Sequence, residues 1–133
     1  MNEELQQHYA RYQQLNARLQ KVQQQMMTVE QQLADMKFIS EGLDDVKKAK
    51  EGSEILAPLG HGVFLKTSLK DNKEVLMSIG SGSVVTKSYE EAKQIINAQV
   101  EDLGKLAEEM NAELQNGIIE IQHIQKAMQA AQK

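Results

Sequence analysis

Apolar residues recur along the first third of this sequence in two interleaved series. Leu5, Tyr12, Leu19, Met26, Leu33 and Ser40 are spaced by seven, and His8, Leu15, Val22, Val29, Met36 and Leu43 follow them at an offset of three. Alternating steps of three and four keep one stripe of a helix facing a partner helix, the pattern of a coiled-coil seam. It predicts a helix from about Glu3 to Lys50. Glutamine runs such as Gln23-Gln24-Gln25 fall off the seam and read as solvated faces. Lys47, Lys48 and Lys50 suit the negative end of the helix dipole, and Gly52 suits a left-handed cap.

A second helix is expected from Ser88. Ser88-Tyr89-Glu90-Glu91 has the form of a capping box, in which the serine and the glutamate three residues on satisfy each other's backbone N–H. Its seam runs Ile96, Val100, Leu103, Ala107, Met110, Leu114, then Gly117, Ile121, Ile124, Met128 and Ala131. Asn116-Gly117 is a turn signal, but the heptad phase passes through it unbroken, which favours a continuous helix with a small residue on the seam. Each helix is about 65–70 Å long at 1.5 Å per residue, and antiparallel pairing within the chain is the simplest arrangement. Setting Tyr12 against Ile124, Leu15 against Ile121 and Met26 against Met110 keeps seam against seam. Leu33 then meets Leu103 and Met36 meets Val100. In that register Leu19 faces Gly117 and Val29 faces Ala107, large against small.

Between the helices the pattern changes. Residues 55–59, 63–69, 74–79 and 83–86 are short, apolar or alternating, and are separated by Gly60-His61-Gly62, Lys70-Asp71-Asn72-Lys73 and Gly80-Ser81-Gly82. They read as four strands in two hairpins, with Pro58 placing the first at an edge or bulge. The fold class is therefore α+β: a long antiparallel two-helix coiled coil with four short strands at its closed end. The single domain divides into an N-terminal helix (1–52), a β-hairpin segment (53–87) and a C-terminal helix (88–133). Four short strands cannot make a stable core alone. Yet Ile55, Leu59, Val63, Phe64, Leu65, Val75, Leu76, Met77, Ile79, Val84 and Val85 crowd them. Val63 and Leu65 share one face, Val75, Met77 and Ile79 form a matching row, and Phe64 and Leu76 point to the other side. The cover expected for this surface and for the open strand edges is the same segment of other subunits, making the hairpins an oligomerisation hub.

Composition narrows the function. There is no Cys and no Trp, and aromatic residues make up 4% of the 133. A single thick core is not expected, and disulfides and thiolate metal sites are excluded; the lack of Cys fits a reducing cytosol. A net charge of −4 argues against nucleic-acid and anionic-membrane binding. No apolar run has membrane-spanning length. Met1-Asn2-Glu3-Glu4 does not read as a signal peptide.

The stretch Glu54-Ile-Leu-Ala-Pro-Leu-Gly-His-Gly-Val-Phe-Leu-Lys, followed by Val75-Leu-Met-Ser-Ile-Gly-Ser-Gly and by Val84, Val85 and Thr86 leading into Ser88 and Glu91, resembles the hub of the alpha-type subunits of prefoldin, also called the GimC chaperone. The resemblance covers nearly the whole chain. Beta-type subunits have one hairpin, so four strands favour the alpha type. The resemblance implies a hexamer of two alpha and four beta subunits, with the hairpins forming a double β-barrel body from which six coiled coils hang. It also implies a cytoplasmic, ATP-independent holdase that grips non-native proteins at the coiled-coil tips and passes them to a group II chaperonin. A structural scaffold or filament with the same hub and no holding activity is the alternative. An enzyme is expected least, because a thin coiled coil has little room for a cleft.

A holdase tip needs exposed, adaptable apolar surface. Tyr9, Ile118 and Ile119 lie off the seam near the free helix ends. Leu5, Tyr12, Ile121, Ile124 and Met128 lie on it, where fraying would expose them, and methionine suits a promiscuous surface. The plainer readings are seam core for the second group and scattered surface apolarity for Ile118 and Ile119. Phe38, Ile39 and Ile95, off the seam near the hub, read as packing on the body or on neighbouring subunits.

No cofactor, metal or catalytic constellation is expected. His8, His61 and His123 have no metal-ligand spacing. Gly80-Ser81-Gly82 lacks the third glycine of a dinucleotide loop and precedes a strand, and there is no nucleophile elbow. Lys93 falls on the seam opposite Leu43, where its stem can pack while its ammonium reaches water.

Overall fold

The computed structural model describes residues 2–132. Its elements are α1 (Glu3–Lys48), β1 (Glu54–Gly60), β2 (Val63–Ser68), β3 (Glu74–Gly80), β4 (Ser83–Ser88) and α2 (Tyr89–Ala131). They form two compact units: one holds the chain up to Leu33 with the chain from Glu101 on, the other spans Ala34–Val100.

In the first unit α1 and α2 run antiparallel and meet along the expected seam. Leu15, Leu19 and Ile124 form a buried cluster with Tyr12, Leu114, Ile121 and Met128 packed against it. Val22 and Val29 continue the core, Val22 being almost wholly enclosed. Burying a Leu or Val side chain contributes roughly 1.5–3 kcal/mol, so this row accounts for most of what holds the unit together. The register is fixed where Leu19 lies against Gly117. A Cβ built on Gly117 falls 2.9 Å from Leu19 Cδ1, 3.0 Å from Cγ and closer still to Cδ2. The helix is continuous through Asn116-Gly117, because the missing side chain makes room for a leucine rather than a turn.

Two ion pairs lie on one side of this seam. Arg11 donates to Glu120 through Nε at 3.0 Å and Nη2 at 2.9 Å, and Arg18 Nε donates to Glu113 at 2.8 Å. These side chains are about half exposed, so each pair contributes little, about 0–1 kcal/mol. Their repeat one heptad apart marks the same register as Leu19 and Gly117.

In the second unit the helix termini are capped by local chemistry. Asn72 Nδ2 donates to the carbonyl of Ala49, just past the end of α1, at 3.1 Å. α1 stops at Lys48, two residues earlier than the seam suggested. Gly52, with φ +82°, belongs to the following turn: its N–H donates to the Leu69 carbonyl at 2.7 Å. The α2 capping box is formed as expected. Glu91 N–H donates to Ser88 Oγ at 3.1 Å, and Ser88 N–H donates to Glu91 Oε1 at 3.3 Å, which holds the Glu91 carboxyl below its ordinary range. Lys93 donates to Asp44 and lowers its pKa. Ser40 pairs with Asn97, and Lys47 with Glu90.

The four strands form two separate antiparallel hairpins, β1–β2 and β3–β4. The two are copies in pattern. Glu54 pairs with Ser68 and Gly60 with Val63 in one; Glu74 pairs with Ser88 and Gly80 with Ser83 in the other. Each has a register shift just before its turn, at Pro58/Gly60 and Ser78/Gly80. Each turns through two residues of positive φ, His61 (51°) with Gly62 (81°) and Ser81 (53°) with Gly82 (75°). That is the type I′ geometry whose twist matches the strands, and it explains glycine at the second position. The unit buries Leu69, Tyr89, Ala92 and Ile96. Leu69 lies between the hairpins and Tyr89 opens α2, and sequence periodicity singled out neither. Burial, with the charge of Asp71, raises the Tyr89 pKa.

The Gly117→Ala variant tests the register. Alanine is the better helix former by about 1 kcal/mol, but its methyl must displace Leu19, and overpacking costs roughly 1–3 kcal/mol. Thermal unfolding followed by circular dichroism should show a lower Tm for Gly117→Ala, and a double variant with Leu19→Ala that loses less than the two single losses added. A raised Tm for Gly117→Ala would place some other residue opposite Gly117.

Candidate functional site

The hairpins carry apolar side chains on both faces. On one, Ile55 and Ala57 of β1 and Val75, Met77 and Val85 of β3–β4 are half-buried, with Leu65, beside Ala57, at 48% exposure. On the other, Leu56 and Phe64, then Leu76 and Val84, stand at 56–74% exposure. Leu59, Val63 and Ile79, near the turns, are equally open. Every expected hub residue therefore lies on a hairpin and keeps part or most of its surface uncovered by its own chain. Leu56 belongs with them and was missed by the sequence reading. The signal was present in the repeat, since Glu54-Ile-Leu and Glu74-Val-Leu occupy equivalent places and Leu76 had been recognised. Because each sheet has two strands, every strand is also an edge with backbone groups free to pair.

The second set of expected site residues lies in the other unit. Tyr9, Ile118 and Ile119 are about half exposed, at 47%, 50% and 52%. Leu5, Tyr12, Ile121 and Met128 are half-buried along the seam. Ile124 is buried at 8% beside Leu15 and Leu19; in the folded chain it is core. Phe38 (76% exposed), Ile39 and Ile95 are left open, so the chain's own body does not cover them.

No group of three or more His, Asp or Glu side chains among the described residues is placed to hold a metal ion. No helix among them is long and apolar enough to cross a membrane.

Two long helices bracketing two apolar β hairpins define a class of fold: a coiled-coil subunit with open hairpins. The family profile described as "Prefoldin subunit" matches residues 15–133, and the chain belongs to the prefoldin family. Prefoldins are non-enzymatic chaperone subunits that form complexes with other prefoldin subunits. Among solved structures, the chain is similar to one in the "Cryo-EM structure of filamentous PFD from Methanocaldococcus jannaschii". The TM-score is 0.54 at 20% sequence identity, over 96% of this chain and 99% of that one, a likeness of fold. No curated protein sequence matches.

Charging the hairpins tests their role. Leu56→Lys together with Leu76→Lys should leave helical circular dichroism intact, because neither residue is buried in the chain. It should lower the sedimentation coefficient to that of small, dissociated species. An unchanged sedimentation profile would remove these rows from the assembly surface.

Proposed function

We propose that this chain is an alpha-type prefoldin subunit acting as an ATP-independent holdase. The observation that carries the reading is the presence of two complete hairpins in a family member, with apolar rows left open on both. In this reading the hairpins join those of beta-type subunits, two alpha with four beta, in a β-barrel body. The half-exposed Tyr9, Ile118 and Ile119, helped by Leu5, Tyr12, Ile121, Ile124 and Met128 when the helix ends fray, contact non-native polypeptides. Weak contacts on several subunits add through effective concentration. The cargo passes to a group II chaperonin in the cytoplasm. Burial of Ile124 makes it the residue in this set that depends most on fraying.

A second reading is a homo-oligomeric scaffold or filament. It is favoured by one observation, that a solved structure similar in fold is of a filamentous assembly.

The two readings part on activity. The assembled particle should suppress aggregation of a chemically denatured protein diluted from guanidinium, without ATP. The triple variant Tyr9→Ser, Ile118→Ser, Ile119→Ser should suppress it several-fold less while keeping its assembly size. Full-length particles with no effect on aggregation, or rods of unlimited length, would favour the scaffold.

A further inference from the structure

In the unit spanning Ala34–Val100 the seam between α1 and α2 turns polar. Two positions that the heptad phase reserves for apolar residues hold Ser40 on α1 and Lys93 on α2. Ser40 Oγ donates to Asn97 Oδ1 at 2.9 Å. Lys93 donates to Asp44, and Lys47 donates to Glu90 at 3.3 Å. Ser40, Asp44 and Lys47 step by four and three along α1, and Asn97, Lys93 and Glu90 step back by four and three along α2. The three contacts therefore stack as a ladder along one side of the helix pair. On α2 the adjoining stripe, Tyr89, Ala92 and Ile96, is buried, whereas no side chain of α1 beyond Val29 is.

Stability does not account for the ladder. Lys93 and Asp44 are 33% and 45% exposed, and Lys47 and Glu90 are more open still. Ion pairs so exposed add little, and an apolar side chain at a seam position adds more. A polar residue on a coiled-coil seam lowers stability and fixes which helix pairs with which, and in what register. The order of signs here does that. Antiparallel pairing of α1 with α2 sets Asp44 against Lys93 and Lys47 against Glu90. Two copies of α1 lying parallel would set Asp44 against Asp44 and Lys47 against Lys47, and two copies of α2 would set Lys93 against Lys93. A slip by one heptad would leave Asp44 against Val100 and Lys47 against Asn97. The seam of the other unit is apolar, and an apolar row accepts a like row from a second copy.

We infer that the ladder selects the helix partner: it commits α1 to α2 and rejects pairing between like helices of different copies. Specificity of this kind is a difference between two pairings, gained by making the wrong one repulsive. The inference rests on the assembly reading only in that copies held on one hub make like-helix pairing a competitor.

The chain has no cysteine, so an introduced thiol reports helix neighbours. Met26→Cys places one on the α1 seam and Met110→Cys one on the α2 seam, each in a separate chain. After mild oxidation of the full-length protein, either chain runs as a covalent dimer on a non-reducing gel where like helices have paired. Four backgrounds are compared: the native ladder, Asp44→Lys, Asp44→Lys with Lys93→Asp, and Ser40→Leu with Lys93→Leu. Helical content and Tm are measured first by circular dichroism. Asp44→Lys removes the discrimination and should raise the dimer fraction at least about five-fold, and adding Lys93→Asp should return it to within about two-fold of native. The apolar variant should keep or raise Tm and still form at least about five-fold more dimer. An unchanged dimer fraction in Asp44→Lys overturns the inference, as does a double reversal that fails to restore it. An apolar variant that loses Tm without forming more dimer makes the ladder a stabilising contact and also overturns it. Particle size is read in parallel by native mass spectrometry. A native protein that stays a single chain refutes the assembly reading, while the same gel comparison at high protein concentration still decides for or against the ladder.

Discussion

A β hairpin of two strands has two faces and no interior, so any large apolar side chain it carries must be covered by something outside it. This chain has two such hairpins, and Leu56, Phe64, Leu76 and Val84 stand open on them. The buried residues of the same unit, Leu69, Tyr89, Ala92 and Ile96, lie between the hairpins and in the first turns of α2, not on the hairpins. Contiguous exposed apolar surface with unpaired strand edges is an aggregation hazard in a monomer and an interface in an assembly. The chain belongs to a family whose subunits form complexes with one another, and we propose that these surfaces are where they meet. The repeated pattern of the hairpins, down to matching bulges and turns, gives the chain two similar surfaces rather than one.

The helices answer a different demand. A coiled-coil seam is narrow, and its core is one row of side chains from each helix. Leu15, Leu19, Val22, Val29 and Ile124 fill that row, and the Leu19–Gly117 contact leaves no slack for a shift by one heptad. With the seam committed to holding the helices together, Tyr9, Ile118 and Ile119 are left about half exposed beside it. One flank is paired by charge through Arg11 and Arg18. The other is lined by amides, Tyr9 and Ile118, and is open.

Much of this was legible in the residues. Heptad spacing located both helices, and Gly117 opposite Leu19 fixed the pairing, because size complementarity is a local property that two sequence positions can reveal. Turn glycines bounded the strands to within a residue or two. What periodicity could not show was how strands bury. Leu69 and Tyr89 are core because the chain folds back at Lys70–Lys73, a tertiary event with no period. Leu56 was overlooked because a two-sided hairpin does not alternate cleanly between apolar and polar. Ile124 was read both as seam and as a contact surface, and the folded chain places it in the seam. Gly52 was read as a helix cap from its position after three lysines. The helix ends earlier because Asn72, distant in sequence, supplies the cap.

The claim on which the rest depends is that the hairpin surfaces are covered by other subunits. Native mass spectrometry of the chain isolated with whatever it binds in its own cells tests it most directly. The account predicts a closed particle of several subunits, this chain present twice beside a smaller partner, with no free monomer at sub-micromolar concentration. A stable, soluble monomer of 15.0 kDa would contradict it.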